Sequence, residues 1–178
     1  MSILTVTLRP ALELDQALLL RVYASTRTAE LALTGWDEVT CSRFVQMQFL
    51  AQSTHYRQYW PASEHSVIQV QSQAATLPVG RLWIDRRAKA IHVLDIALLP
   101  DWRGQGIGAQ CLERLMHEAS PKGLELTIQV EQDNPARRLY DRLGFQSVGP
   151  QHGVHQLMAC RNPVSAELPR EEACYEQA

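Results

Sequence analysis

Several kinds of sequence signal are scarce in this chain of 178 residues, and each absence removes a class of protein. The four cysteines lie far apart without the spacings of a metal site, so we expect reduced thiols, no bound metal and a cytoplasmic location. No apolar run reaches the roughly 18 residues of a membrane span, and no signal peptide precedes the first strand. The net charge of −2 gives no general attraction to nucleic acid or to an anionic membrane.

Glycine is also sparse, with nine residues, yet three of them occupy alternate positions of one turn. The turn follows an apolar strand that ends near Pro100, and a helix begins inside it. The first N–H groups of a helix have no internal partners and lie at the positive end of its dipole, so a turn with few side chains lets an anion approach them. The sequence therefore predicts a pyrophosphate site made by the N–H groups of Arg103, Gly104, Gln105, Gly106, Ile107 and Gly108.

Three kinds of phosphate-binding turn fit this segment to different degrees. A nucleoside triphosphatase loop ends in Gly-Lys-Ser/Thr, whereas this turn continues with Ala109 and Gln110, which strongly disfavours that class. A dinucleotide fold matches the relaxed GxGxxA fingerprint, with Glu131 where a ribose-binding acid would lie. Only one further strand–helix pair follows, however, which cannot complete both halves of that fold. A coenzyme A loop is the third kind.

Two segments resemble a known family. The run Arg103-x-x-Gly106-x-Gly108 is similar to the phosphate loop of the GNAT superfamily of N-acetyltransferases. The stretch from Asn134 to Phe145 resembles the segment in which that family has an Asn, a short helix with a central Tyr, and then Gly-Phe. The resemblance covers residues 2–160. It implies acetyl-CoA as cosubstrate, a small-molecule or peptide amine as acceptor, and direct transfer in a ternary complex.

The hydrophobic pattern predicts an α/β domain with a mixed sheet over residues 1–160, in the order β-α-α-β-β-β-α-β-α-β-β. This order is that of the GNAT fold, in which the resemblance implies that the fourth and fifth strands splay apart. The unpaired backbone of Ile96 and Leu98 would then bind the pantetheine arm. The first helix is predicted to end near Ser25, and the second to run from an Asp37 cap to about Tyr56. Residues 161–178 are predicted to be a flexible tail.

Candidate catalytic residues follow from the resemblance and from simple acid–base chemistry. Tyr140 is the candidate general acid, because a phenol of pKa about 10 can donate a proton to a departing thiolate. The alternative is a buried tyrosine that satisfies one hydrogen bond. His92 and Asp95 are alternative general bases, and a water chain is a third option within the family. Strict alternation places the two side chains on opposite faces of one strand, so only one of them would line the cleft.

Further residues are candidate ligand contacts. Asn134 is predicted either to contact coenzyme A or to cap its helix, with Pro135 at the first helical position, and Arg137 is a candidate for the 3′-phosphate. Gln48 and Gln52 lie inside an apolar stripe of the second helix, where they either bind the acceptor or mark the edge of the domain.

The loop between the first two helices is the remaining candidate acceptor site. It is flanked by Glu30 and contains Trp36, and its acidic residues favour an amine that carries positive charge. The acceptor itself and the oligomeric state are not identified, although a homodimer is compatible. The alternative function is a non-catalytic module that binds acyl-CoA without turnover, against which Tyr140 argues.

Overall fold

The structure is a computed structural model, and it describes residues 4–71, 75–150 and 153–160. It has the element order that the sequence predicts. Short 3₁₀ turns aside, the elements are β1 (Thr5–Pro10), α1 (Gln16–Ala32), α2 (Glu38–Tyr59), β2 (Glu64–Gln71), β3 (Thr76–Arg86), β4 (Ala90–Leu98), α3 (Ile107–Ala119), β5 (Glu125–Glu131), α4 (Arg137–Arg142), β6 (Gln146–Ser147) and β7 (His155–Cys160). The predicted tail over 161–178, which includes the fourth cysteine, lies outside the described residues.

The first two helices are longer than their hydrophobic patterns indicate. α1 continues to Ala32 rather than ending near Ser25, because the residues that follow include good helix formers such as Glu30. α2 begins after Asp37, whose carboxylate accepts the Thr40 N–H at 2.7 Å, so the predicted cap is present. The two helices lie side by side and cover one face of the sheet.

Seven strands form one mixed sheet in the order β1-β2-β3-β4-β5-β7-β6. β4 and β5 are parallel, and the other neighbours are antiparallel. A cluster of buried residues around Val22, Phe49 and Val67 packs α1 and α2 against one face. A larger cluster, which includes Ile91 and Leu112, packs α3 against the other face. The sheet is thus covered on both sides, as a strand pair joined through a helix requires.

β4 and β5 pair only along part of their length. The paired residues run from Ala90 to Val93 on β4, opposite positions 125–128 of β5. β4 then continues to Leu98 and β5 to Glu131 without pairing with each other. The predicted separation of the two strands is therefore present, and we call the opening between them the wedge. Along the wedge the facing backbone groups have no sheet partner.

A β-bulge at Leu94 changes which side chains of β4 share a face. Asp95 is opposite Trp83 and His92 is opposite Asp85, and these two partners lie two positions apart on β3. Because the side chains of a strand alternate, Asp95 and His92 therefore point to the same face, that of α1 and α2. The prediction that only one of them could line a given face was wrong, because strict alternation does not continue across a bulge.

Candidate active site

The turn after β4 has the conformation that close approach of an anion requires. Gly104 and Gly106 have φ values of +73 and +79, which L side chains rarely adopt, and a Cβ at either position would meet no atom within 4 Å. Gly106 directly precedes α3, a helix of 13 residues. Within the described chain, no N–H group of residues 104–109 donates to another residue. These unpaired donors lie at the positive end of the helix dipole.

The first residue of the predicted phosphate site differs from the rest. The Arg103 N–H donates to the Pro100 carbonyl at 3.1 Å, so the run of unpaired donors begins one residue later than the sequence predicts. The Arg103 side chain donates from Nε to the Leu98 carbonyl at 2.9 Å, and from Nη2 to the carbonyl and hydroxyl of Ser25 at 3.1 and 2.7 Å. The Gln105 amide donates to Asp101 O at 2.6 Å. Both long side chains are engaged within the protein, which leaves main-chain N–H groups as the available donors.

The edge of β4 that faces the wedge carries the backbone groups predicted for the pantetheine arm. The Leu99 N–H donates to the Val79 carbonyl of the neighbouring β3 at 2.8 Å. Because backbone groups alternate in direction along a strand, those of Leu98 and Ile96 face the wedge instead. The Leu98 carbonyl already accepts from Arg103, a competitor that the sequence pattern does not reveal.

Tyr140 lies on α4 with its ring buried and its hydroxyl without a partner. The residue is 4% exposed, and its ring lies 5.8 Å from that of Phe145. Burial, followed by the negative charge of Asp95, raises the pKa of the Tyr140 phenol. Asp95 and Tyr140 are therefore within electrostatic range of each other. Among the described residues the Tyr140 hydroxyl makes no hydrogen bond, and its oxygen is not one of the fully buried polar atoms, so the hydroxyl is open to solvent or to a ligand.

Asp95 belongs to a group of interacting side chains beneath α1 and α2. Its Oδ2 lies 2.6 Å from Nε of Arg81, which is 1% exposed, whereas the Asp95 side chain is 19% exposed. This approach is an ion-pair contact rather than an aligned hydrogen bond. Arg81 also donates from Nη2 to Gln52 Oε1 at 2.9 Å and lies over the rings of Tyr23 and Phe49, at 5.3 and 5.9 Å. Such partners offset the cost of burying a guanidinium. We call Arg81, Asp95, Gln52 and Tyr23 the polar cluster.

The two glutamines of α2 have partners inside the protein. Gln52 accepts from Arg81, and Gln48 Oε1 accepts from the Tyr23 hydroxyl at 3.2 Å. These contacts explain polar residues in an apolar stripe without an acceptor molecule. At the outer end of α1, Glu30 lies 3.2 Å from Arg27 in an exposed ion pair. In the following loop Trp36 is 46% exposed and meets the ring of Phe44 edge-on.

His92 lies at the closed end of the wedge, where β4 and β5 still pair. Its Nδ1 is 2.5 Å from the hydroxyl of Thr127, the residue opposite on β5. Burial, followed by the positive charge of Arg87, lowers the His92 pKa, so the ring is neutral at pH 7. Its charged neighbours belong to the β3–β4 turn. Asp95 is thus a charge that acts on Tyr140, whereas the charges that act on His92 are those of Arg87 and Asp85.

The segment that leads into α4 differs from the predicted cap. The helix begins at Arg137 rather than at Pro135, and Asn134 Oδ1 accepts the Ala136 N–H at 2.9 Å in the turn before it. The Asn134 oxygen is thus a local cap, whereas its amide nitrogen has no partner within the described chain. The Arg137 guanidinium is half-buried and likewise forms no ion pair there. Gly144 ends the helix in the left-handed conformation, with φ +86, as predicted.

Three residues around the site belong to no recognisable sequence motif, and the sequence analysis missed them. Arg81 holds Asp95, Trp83 lies opposite Asp95 on β3, and Tyr56 donates its hydroxyl to the bulge carbonyl of Leu94 at 3.0 Å. The Tyr56 and Trp83 rings meet edge-on at 5.0 Å. The one available signal was a charged residue, Arg81, inside the otherwise apolar stretch 77–84 of β3.

Residues 4–71, 75–150 and 153–160 contain neither a metal-binding group of side chains nor a membrane-spanning helix. In those ranges no group of three or more His, Cys, Asp or Glu side chains is arranged to hold a metal ion. No helix there is long and apolar enough to cross a membrane.

A mixed sheet opened between two parallel strands, with a glycine turn and a helix N-terminus at its mouth, defines the class of acyltransferases that use a coenzyme A thioester. The family model described as the acetyltransferase (GNAT) domain matches residues 34–159. Because the match spans well over half of the chain, the chain belongs to the GNAT acetyltransferase family. Its matched region is thus an acetyltransferase domain by family.

Individual relatives agree with this assignment. The chain is 37% identical over 57 residues to the ribosomal protein bS18-alanine N-acetyltransferase of Haemophilus influenzae, a match that covers 32% of this chain and 39% of that protein. The chain thus spans well under half the length of this curated relative.

Two solved structures share the fold. The PaiA N-acetyltransferase of Thermoplasma acidophilum in complex with coenzyme A is 16% identical, with a TM-score of 0.63 over 88% of this chain and 99% of that one. A GNAT family acetyltransferase of Elizabethkingia anophelis with acetyl-CoA bound is 15% identical, with a TM-score of 0.53 over 88% and 97%. At these identities the likeness shows the fold alone.

Proposed function

We propose that this chain transfers the acetyl group of acetyl-CoA to a primary amine by direct attack within a ternary complex. The observation that carries the proposal is the Tyr140 hydroxyl, which is unpartnered and lies near Asp95. A module that only binds acyl-CoA would have no need of a tyrosine whose ring is buried and whose hydroxyl is accessible and has no partner in the described chain. The fold shared with proteins that hold coenzyme A or acetyl-CoA supports the cosubstrate side.

The proposed cosubstrate contacts are mostly main-chain. The N–H groups from Gly104 onward would bind the pyrophosphate, and the wedge-facing backbone of Ile96 and the Leu98 N–H would bind the amide groups of the pantetheine arm. Asn134, through its unpartnered amide nitrogen, and Arg137, through its unpaired guanidinium, would meet the nucleotide end.

The proposed reaction includes two proton transfers, one from the amine and one to the departing sulfur. The amine first loses a proton, its nitrogen then bonds to the thioester carbonyl carbon, and the carbon–sulfur bond breaks. The departing thiolate takes the proton of Tyr140, which regains one from solvent. A phenol is protonated at neutral pH, and burial beside Asp95 raises the pKa of Tyr140 further, so Tyr140 holds a proton for the departing sulfur but donates it less readily than a free phenol. Asp95, held as a carboxylate partner by Arg81, is proposed to attract the ammonium and pass its proton to water, with His92 as the alternative base.

The acceptor class is proposed from charge. Asp95 is partly exposed at the wedge, and Glu30 lies on the exposed end of α1, so an amine that carries positive charge fits better than an acidic one. The Haemophilus influenzae relative is named for acetylating an alanine of ribosomal protein bS18. A protein amine of that kind belongs to this class, as do polyamines. A cytoplasmic location and a homodimer stay predictions.

A thiol-release assay with acetyl-CoA and a panel of amines tests the proposal. The panel would contain a polyamine, free amino acids, an aminoglycoside and a peptide with a free N-terminal alanine. We expect turnover with a cationic amine, and calorimetry should show binding of acetyl-CoA but not of NAD. Tight acetyl-CoA binding without turnover of any amine would instead favour the non-catalytic acyl-CoA module, and NAD binding alone would contradict both.

A further inference from the structure

The side chain of Arg103 connects the glycine turn to a helix on the opposite side of the sheet edge. Its Nε is anchored on the last residue of β4, at Leu98 O, and its Nη2 reaches both oxygens of Ser25 on α1. The Ser25 hydroxyl donates to Val22 O at 2.7 Å, so its lone pairs are oriented to accept from Arg103. A guanidinium with three bonds in two directions has little freedom, and each bond is charge-assisted.

The same helix supports the polar cluster. Tyr23, two residues before Ser25, is 2% exposed, and its ring lies under the Arg81 guanidinium that pairs with Asp95. The Tyr23 hydroxyl also donates to Gln48, which ties α1 to α2. A shift of α1 near Ser25 would therefore move the aromatic face on which the partner of Asp95 rests. The contacts are continuous from the glycine turn to the acceptor side of the wedge.

We propose that Arg103 is a positioning residue that couples occupation of the glycine turn to the position of α1 and its polar cluster. The turn has room for further hydrogen bonds, because the N–H groups of residues 104–109 have no partner within the described chain. An anion bonded to those groups orders the turn, and Arg103 passes this order to α1 through Ser25. Such an effect is a coupling free energy between two ligand sites and works in both directions. The placing of the acceptor beside the polar cluster rests on the proposed function.

Amide hydrogen exchange with and without coenzyme A tests the coupling directly. In the wild-type chain we expect coenzyme A to slow exchange both in residues 104–111 and in the second half of α1, residues 23–32. In Arg103→Ala the slowing should persist in the turn and disappear from α1. The matched control is Arg114→Ala, because the Arg114 side chain also donates from Nη2 to a carbonyl, that of Val6 at 3.1 Å, but contacts neither the turn nor α1 through that bond. This control should keep the slowing in both segments.

Steady-state kinetics give a second readout. In Arg103→Ala the KM for the amine should rise about fivefold, at the low end of typical coupling, while calorimetric affinity for coenzyme A changes much less. Ser25→Ala, which removes one of the three bonds, should have a smaller effect in the same direction. Slowing of α1 exchange that survives in Arg103→Ala would overturn the inference. Absence of slowing in the turn of the wild-type chain would instead contradict the proposed cosubstrate site, so the two failures are distinguishable.

Discussion

The two sides of the wedge are built from different kinds of groups. On the side of α3 the candidate site consists of main-chain N–H groups that have no partner in the described chain, shaped by Gly104 and Gly106. On the side of α1 and α2 it consists of side chains that mostly have partners, with Arg81 and Asp95 at the centre. The α3 side offers unpaired N–H donors to a ligand, whereas the side of α1 and α2 fixes the positions of charged side chains.

This difference affects how each side tolerates substitution. A main-chain site depends on a few residues that permit an unusual φ and on little else, so most changes around it should be harmless. A side-chain cluster depends on every member, because removal of one partner leaves another buried and unsatisfied. The predictions below test this contrast, from the largest expected effect to the smallest.

Tyr140→Phe, at the boundary of the two sides, should have the largest effect. The substitution keeps the buried ring and removes only the unpartnered hydroxyl, so the maximal rate should fall by about 10²–10⁴-fold while acetyl-CoA affinity is retained. Single-turnover kinetics and calorimetry measure the two quantities. The control is Tyr59→Phe, since Tyr59 is 51% exposed. A wild-type chemical rate in Tyr140→Phe would leave Tyr140 as packing only.

Arg81→Met should show that the side-chain side depends on each partner. The change leaves Asp95 without its buried cation, and loss of one member of a buried pair typically costs about 3–5 kcal/mol of unfolding free energy. Urea denaturation measures the loss. The double variant Arg81→Met with Asp95→Asn should recover part of it, because no unpaired charge remains. Equal stability of the single variant and the wild type would show that the pair contributes nothing.

Gly106→Val tests the main-chain side. A β-branched side chain at φ +79 strains the backbone and fills the space over the N–H groups, so acetyl-CoA affinity should fall by about 3 kcal/mol, more than a hundredfold. Gly149→Val is the matched control, because Gly149 has φ +72, equally open surroundings and no part in the turn. Both variants should lose similar stability, but only Gly106→Val should lose affinity. Equal affinities in calorimetry would remove the turn from the cosubstrate site.

A pH dependence of stability should arise from the sheet face under α1 and α2. On that face the ring of His65 stacks on the ring of Trp83, with the ring centres 4.1 Å apart. Burial, followed by the positive charges of Arg81 and Arg57, lowers the His65 pKa to about 4. The unfolded chain, with a pKa of about 6.5, binds this proton first, so the stabilisation is present above pH 6.5 and is lost as the pH falls towards 4. The loss should be about 2 kcal/mol. The unfolding free energy of His65→Gln should vary less with pH between 6.5 and 4 than that of the wild type. An unchanged variation would exclude His65 as the source of the pH dependence.

His92→Gln should have the smallest effect on the rate. His92 bonds Thr127 at the closed end of the wedge, and the charges that act on it are those of Arg87 and Asp85, so the loss should be far below the roughly 10²–10⁴-fold of a general base. Asp95→Asn should lower the rate more. The pH–rate profiles of the two variants decide which residue is the general base. If the fall in rate at acid pH disappears in His92→Gln, His92 is the base.

The sequence anticipated the element order, the separation of β4 from β5 and the glycine turn. These depend on local periodicity and on residue types that suit special backbone conformations, as at Gly106 and Gly144. It did not anticipate the bulge at Leu94, which put His92 and Asp95 on one face, because nothing in a strand pattern marks an extra residue. Nor did it anticipate the length of α1, since no breaker or cap marks its end.

What the sequence determined by itself is the set of main-chain donors in the glycine turn, since a turn of glycines before a helix exposes such donors wherever it folds. Only the tertiary structure decided the partners on the acceptor side. Arg81 meets Asp95, Gln52 and Tyr23 because a sheet brings β3 and β4 together and two helices cover that face, and none of these contacts lies between neighbours in sequence. Arg103 illustrates both cases. The sequence motif identifies its place in the turn, but its hydrogen bond to Ser25 depends on the tertiary structure.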